Sequence, residues 1–234
     1  MTVDHKLLDK FKTEATLGGA QVFLAASAED AVNYVLKLVK DKDIKIVVKS
    51  NSSLADKLGL PERLAAGGVR VIETAVAHWA VQLAKGKEVP IDTLAEMIST
   101  AAGEKVPAES AALLLAARRV LKDVYAGAGL GITEADFGIA ETGTPVTLEN
   151  EGNARLAAIL PKLHLTLLDG NHIAGNRADA AELIKGSSGG IPGHRVPSFI
   201  AYLTRRNTTP DIQGESFTRA RGPAEEHILI INKL

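Results

Sequence analysis

Residues 129–156, GLGITEADFGIAETGTPVTLENEGNARL, constrain the fold more than any other stretch of this chain. Elsewhere, helical spacing alternates with short apolar β-type runs. Here two β runs follow each other with only turn residues between them. Phe137–Ala140 is broken by Glu141-Thr-Gly-Thr144, where Gly143 tolerates φ > 0. Pro145–Leu148 starts the second run, and proline suits its first position. Asn150-Glu-Gly-Asn153 forms a second turn around Gly152, and Ala154–Leu160 reads as a short helix stopped before Pro161. Leu163–Leu168 is a third β run, closed by Asp169-Gly170.

The preceding sequence has a different rhythm. His5–Thr16 has helical spacing, with Leu7, Leu8 and Phe11 on one side. Ser27-Ala-Glu-Asp30 resembles a capping box and opens a helix through Val39. Ile44–Val48 and Val69–Ile72 are buried-type strands, separated by a short helix over Pro61–Ala66 that Gly67-Gly68 ends. This alternation predicts βαβ units and a parallel sheet. Three helical stretches follow near 75–85, 91–102 and 107–125. After the β-rich segment come a helix near 177–185, a flexible-loop candidate at Ser187–Gly193 and a final strand at Glu226–Ile231. The expected architecture is α/β: a mostly parallel sheet flanked by helices, with a β-hairpin-rich C-terminal half. Residues 1–43 are expected to form an N-terminal helical segment and 44–234 the main domain.

Composition narrows the class. With 46% hydrophobic and 24% charged residues the chain has the balance of a globular protein. A net charge of −1 gives no reason to expect nucleic acid as a partner. No apolar run reaches the roughly 18 residues a membrane span needs, and Met-Thr-Val-Asp-His-Lys lacks a signal peptide's apolar core. A cytoplasmic protein is the expectation.

The 129–156 block closely resembles the signature of the LUD domain, found in LutB and LutC lactate-utilisation proteins. The resemblance rests on Gly131-Ile-Thr, Asp136-Phe-Gly-Ile-Ala-Glu-Thr-Gly-Thr144 and Asn150-Glu-Gly-Asn-Ala-Arg-Leu156. The lead-in Arg119–Tyr125 is similar too, with weaker matches at Val48-Lys-Ser50, Val71–Thr74, Leu163-His-Leu165, Gly222-Pro and Glu225-Glu-His227. Such domains are similar to the NagB/RpiA/CoA-transferase class of α/β folds. LutB-type proteins typically continue into a ferredoxin-like region with cluster cysteines, and iron–sulfur clusters need Cys thiolates. This chain has no cysteine and ends at Leu234, so no cluster of its own, and no other cofactor, is expected.

Ligands of open α/β sheets settle beyond the carboxyl ends of strands. Lys49-Ser50-Asn51-Ser52-Ser53 follows one strand and offers a cation, hydroxyls and N–H groups suited to a carboxylate or phosphate. An ordinary helix N-cap explains a serine run equally well. Glu141-Thr142-Gly143-Thr144 follows another run. A Glu in a turn followed by Gly is similar to the nucleophile of CoA transferases, so Glu141 is the candidate catalytic carboxylate. Asn150, Glu151, Gly152, Asn153 and Arg155 complete the expected ligand-binding set. Arg155 stands at a helix start, where the dipole disfavours a cation; Glu149, Glu151 or a bound anion must offset it. The six histidines show no metal-ligand spacing, and His164 and His227, in apolar strands, read as core or sheet-face residues.

Two functions remain open. The resemblance implies a substrate-binding or accessory subunit in oxidation of L-lactate to pyruvate, with LutA-, LutB- or LutC-type subunits carrying the redox centres. The alternative is a stand-alone CoA-transferase-like or sugar-phosphate isomerase-like enzyme acting on a small carboxylate or phosphate.

Overall fold

A computed structural model describes residues 4–149, 152–188, 199–202, 208–210, 216–218 and 222–232. In chain order the elements are α1 (His5–Leu17), β1 (Gln21–Ala25), α2 (Ala28–Asp41), β2 (Ile46–Lys49), α3 (Ser53–Lys57), α4 (Leu60–Ala66), β3 (Arg70–Glu73) and α5 (Val76–Leu83). There follow α6 (Ile91–Ala102), α7 (Ser110–Gly127), β4 (Leu130–Ala135), β5 (Phe137–Ile139), β6 (Thr144–Glu149), α8 (Asn153–Ile159) and β7 (Leu163–Asp169). The last are β8 (Ile173–Ala174), α9 (Arg177–Ser188), β9 (Phe199–Tyr202), β10 (Thr208–Pro210), β11 (Ser216–Thr218) and β12 (Glu225–Ile231).

The main sheet has six strands in the order β1-β12-β7-β4-β2-β3, and every neighbouring pair is parallel. The mixed α/β architecture is therefore the expected one. One feature was not expected from the sequence. Gln21–Ala25, unassigned between two helices, is an edge strand paired with β12, so residues 1–43 contribute to the main sheet. The late strands β7 and β12 lie inside the parallel sheet. The antiparallel pairings of the C-terminal half lie in a smaller sheet, β8-β5-β6-β9, where β5 and β6 are antiparallel as the turn at 141–144 predicts, and in a separate β10–β11 pair.

Helices cover both faces of the main sheet, as a parallel sheet requires. Alternation along the strands sorts side chains between the two cores. Val47, Leu130, Ile132 and Leu165 join α2, α3 and α4 residues such as Val35, Leu54 and Leu64. Val48 and Ile72 face the other way, toward Trp79, Ile98, Leu121 and Tyr125 of α5, α6 and α7. α1 lays Leu8, Phe11 and Ala15 against Leu168, Ile228 and Ile230 at the β12 side.

Local signals account for the helix starts. Ser27 Oγ accepts from the Asp30 N–H at 3.1 Å and Asp30 Oδ2 accepts from the Ala26 N–H at 2.9 Å, a reciprocal cap close to the one the sequence suggests. His164 and His227 are buried in β7 and β12, the sheet position their apolar neighbours imply. Thr133 Oγ1 lies 2.9 Å from His164 Nε2, and burial lowers the His164 pKa to about 3. His164 is therefore a neutral hydrogen-bonding group at physiological pH. Ser187 and Ser188 end α9; the rest of the expected flexible loop lies outside the described residues.

Candidate functional site at the strand ends

The chain leaves the sheet at the carboxyl ends of β2, β3 and β4, and a cavity of about 410 Å³ opens there. It is lined by Ser50, Asn51 and Ser53 after β2, and by Ala75, Ala77 and His78 after β3. Glu134 and Asp136 come from the end of β4, Thr147 and Glu149 from β6, and Asn153 and Ala154 from the start of α8. The β5–β6 hairpin folds back over the end of β4: the Asp136 N–H donates to Val146 O at 2.8 Å and Thr147 Oγ1 donates to Glu134 O at 2.9 Å.

Two carboxylates on this wall are held by N–H and hydroxyl groups. Glu134 accepts from Ser52 Oγ at 2.7 Å, Ser53 Oγ at 3.2 Å and the Leu54 N–H at 2.9 Å. Ser52 also caps α3, its Oγ accepting from the Ala55 N–H at 3.0 Å. The serine run thus satisfies a helix start and receives an anion, but that anion is the protein's own. Glu149 does the same for α8, accepting from the Ala154 and Arg155 N–H groups at 2.8 and 3.1 Å. Of the offsets considered for Arg155, Glu149 is the one seen, acting on the backbone; the Arg155 side chain is exposed and makes no ion pair among the described residues.

Asp136 is the third carboxylate. It accepts from the Leu148 N–H at 2.7 Å. Asp136 is exposed at the cavity mouth, yet partial desolvation by the surrounding wall, and next the charge of Glu134, push its pKa above the usual aspartate value. A carboxyl group raised in this way, facing hydroxyl, amide and imidazole side chains, can exchange a proton with a bound hydroxyl or carboxyl group.

The expected site residues fall into three places. Ser50 and Asn153 line the cavity, and Gly152, with φ 75°, is the N-cap of α8 beside it. Lys49 does not line it. Its side chain is 2% exposed, and Nζ lies 3.0 Å from Glu73 Oε1 and 3.2 Å from Asp56 Oδ1. Two carboxylates therefore occupy the cation expected for an anionic ligand. Glu141, Thr142, Gly143 and Thr144 sit at the far end of the hairpin. The six residues of β6 separate that turn from Glu149 by roughly 17 Å at strand rise. Gly143, with φ 62°, packs so closely on α1 that a Cβ would come within 2.0 Å of the Ala15 nitrogen. Thr142 Oγ1 donates to Thr144 Oγ1 at 2.8 Å, and the Glu141 N–H donates to Gly175 O at 3.1 Å while its side chain is exposed. The turn thus joins the hairpin to α1 and β8, and does not share a rim with Arg155. Asn150 and Glu151 lie outside the described residues.

Asn51 and Ser53, from the candidate segment 49–53, line the cavity with Ser50, whereas Glu134, Asp136, Glu149, His78 and Thr147 were not among the expected site residues. The available signal was the pair Glu134 and Asp136 at the carboxyl end of an apolar strand, where α/β sheets place their ligands.

Comparison with known proteins matches the LUD domain over residues 8–231. The chain belongs to the LUD domain family. It is 31% identical over 239 residues to "Lactate utilization protein B" of Bacillus licheniformis, covering 96% of this chain and 48% of that protein. It is 31% identical over 228 residues to the protein of the same name in Bacillus subtilis, covering 92% of this chain and 45% of that protein. An "Uncharacterized electron transport protein YkgF" of Escherichia coli is 28% identical over 234 residues, covering 96% and 48%. This LUD domain chain therefore spans about half the length of the curated relatives it matches. The crystal structure of a DUF162 family protein from Deinococcus radiodurans superposes with a TM-score of 0.51 at 14% identity, covering 97% of this chain and 96% of that one. That likeness shows a shared fold.

Proposed function

We propose that this LUD domain is the ligand-binding part of a lactate-utilisation system and that its strand-end cavity holds a small hydroxy acid or the matching keto acid. The observation that carries the proposal is the cavity of about 410 Å³ in which Ser50, Asn51, Ser53, His78 and Asn153 face the raised-pKa Asp136. Amide, hydroxyl and imidazole donors suit the carboxylate and hydroxyl of such a ligand, and Asp136 supplies a titrating partner for either. Binding is assigned to these residues rather than to Glu141–Thr144. The family link to proteins named for lactate utilisation supports the substrate class.

The electrons of lactate oxidation need an acceptor. This chain does not fit an iron–sulfur cluster. It contains no cysteine, and among the described residues no group of three or more His, Cys, Asp or Glu could hold a metal. The proposal therefore gives this domain binding and orientation only, with redox centres on LutA-, LutB- or LutC-type partners or on other polypeptide outside these 234 residues. No helix among the described residues is long and apolar enough to cross a membrane.

Proton linkage tests the proposal. An anion beside Asp136 is repelled while that group is ionised and tolerated once it is protonated. Affinity for L-lactate is expected to rise as pH falls through the raised Asp136 pKa, with Glu134, Glu149 and His78 the other ionisable side chains facing the cavity. Asp136→Asn removes one like charge, so at pH 8 it is expected to bind L-lactate about fivefold tighter than wild type. Its pH slope should also be shallower. Calorimetric titration at several pH values reads both. Equal affinities and equal slopes in the two proteins contradict the proposed placement.

A further inference from the structure

A second cavity, of about 620 Å³, lies between α7, α8 and the start of α5, away from the acidic wall. Its lining is mostly apolar: Val76, Leu114, Leu121, Tyr125, Leu156 and Leu160. Leu121 and Tyr125 are buried at its base, while Leu114 and Leu160 remain 36% and 48% exposed. Large leucines left open beside a concavity mark a surface with an occupant. Arg118 and Lys122, one α7 turn apart, also line it. Both are exposed, and neither makes an ion pair among the described residues, whereas the adjacent Arg119 pairs with Glu104 at 2.6 Å. Two like charges at i and i+4 repel each other, and no carboxylate is paired with either among the described residues.

We propose that this groove binds a single anionic amphiphile, an aliphatic chain ending in a carboxylate, with the chain on Leu114, Leu121, Leu156 and Leu160 and the head group between Arg118 and Lys122. The size falls within the range of small-molecule pockets, roughly 300–1,000 Å³. Charge complementarity selects the anionic end. The strand-end cavity, with Leu148 as its one leucine, offers no comparable wall for an aliphatic chain, and the two spaces share only Asn153 in their lining. The groove is thus separate from the hydroxy-acid site, and its test does not depend on lactate.

Decanoate below its micelle concentration is the probe, with decan-1-ol as the uncharged analogue and butyrate as the short one. Titration of the whole chain, followed by calorimetry or tryptophan fluorescence, is expected to show saturable one-to-one decanoate binding at least tenfold tighter than butyrate binding. The double variant Arg118→Gln/Lys122→Gln is expected to weaken decanoate about tenfold, by loss of two exposed ionic contacts, and to leave decan-1-ol unchanged. Because both side chains are exposed, this variant keeps its fold, which an unchanged Tm verifies. Leu156→Trp, which fills the groove from α8, should weaken both ligands. The proposal is overturned if decanoate binds the double variant as tightly as wild type, or if Leu156→Trp binds it unchanged. It is also overturned if sedimentation shows the groove closed by a second copy of the chain that decanoate does not compete with.

Discussion

Replacing Gly131 with alanine is expected to destabilise the protein by at least about 3 kcal/mol, as read from the urea midpoint at constant slope. Gly131 sits in β4, the strand that carries Glu134 at its end. A Cβ there would lie 1.8 Å from the Ala157 carbonyl oxygen and 2.7 Å from its carbon, so backbone rather than a movable side chain is in the way. α8 must retreat or β4 must shift. Either movement separates Glu149 from the α8 N–H groups it satisfies and opens the strand-end cavity. Gly127→Ala is the control. Gly127 is the last residue of α7, nothing lies within 4 Å of its added Cβ, and its φ is ordinary. That substitution is expected to be neutral or stabilising by less than about 1 kcal/mol, because it restricts only the unfolded chain. Equal effects of the two substitutions contradict the close-packed α8–β4 contact.

Lys49→Met is expected to cost about 3–5 kcal/mol at neutral pH, the range for removing one partner of a buried ion pair. Glu73 then loses its ion-pair partner inside the sheet end, and its Oε2 already lacks a hydrogen-bond partner. Burial raises the Glu73 pKa even with Lys49 beside it, burial outweighing the Lys49 charge. The sign follows from linkage. A carboxyl whose folded pKa lies above its unfolded value disfavours folding at high pH, and that cost is relieved as pH falls through the folded pKa. Lys49→Met pushes the Glu73 pKa further up, so the variant should gain stability from neutral pH downward more than wild type does. Glu73→Gln added to Lys49→Met removes the stranded charge and is expected to restore most of the loss. A single variant with a wild-type urea midpoint, or a double variant less stable than the single, contradicts the assignment. Lys49 is thus a structural cation that holds the ends of β2 and β3 together beneath the cavity floor.

These cases show where sequence is informative. Buried parallel strands announce themselves as apolar runs, so Ile44–Val48, Val69–Ile72, Leu163–Leu168 and Glu226–Ile231 are legible, and Ser27 and Gly67 punctuate their helices. β1 is not legible, because five residues between two helices carry no periodicity and the strand exists only by pairing with β12 some 200 residues later. The insertion of β12 between β1 and β7 is likewise set by long-range pairing that no local signal encodes. At the site, polar turn residues are visible but their partners are not. Ser50 and Asn153 could be named because they follow strand and turn signals. Lys49 looks the same in sequence as a ligand-binding lysine, and only its position over Glu73 and Asp56 reveals its role in the structure. Glu141 and Glu149 both flank hairpin turns, yet the length of β6 puts them at opposite ends of the hairpin. A register argument along β6 would have separated them.

The central claim is that a small hydroxy acid occupies the cavity at the carboxyl ends of β2, β3 and β4. Ala77 lines that cavity from α5, is exposed and makes no side-chain hydrogen bond, so Ala77→Trp fills the space without breaking an interaction. Titration calorimetry of this variant with L-lactate and pyruvate is the most direct measurement. The expected result is an unchanged Tm with binding lost or weakened at least tenfold. A folded Ala77→Trp protein that binds either acid with wild-type affinity contradicts the claim.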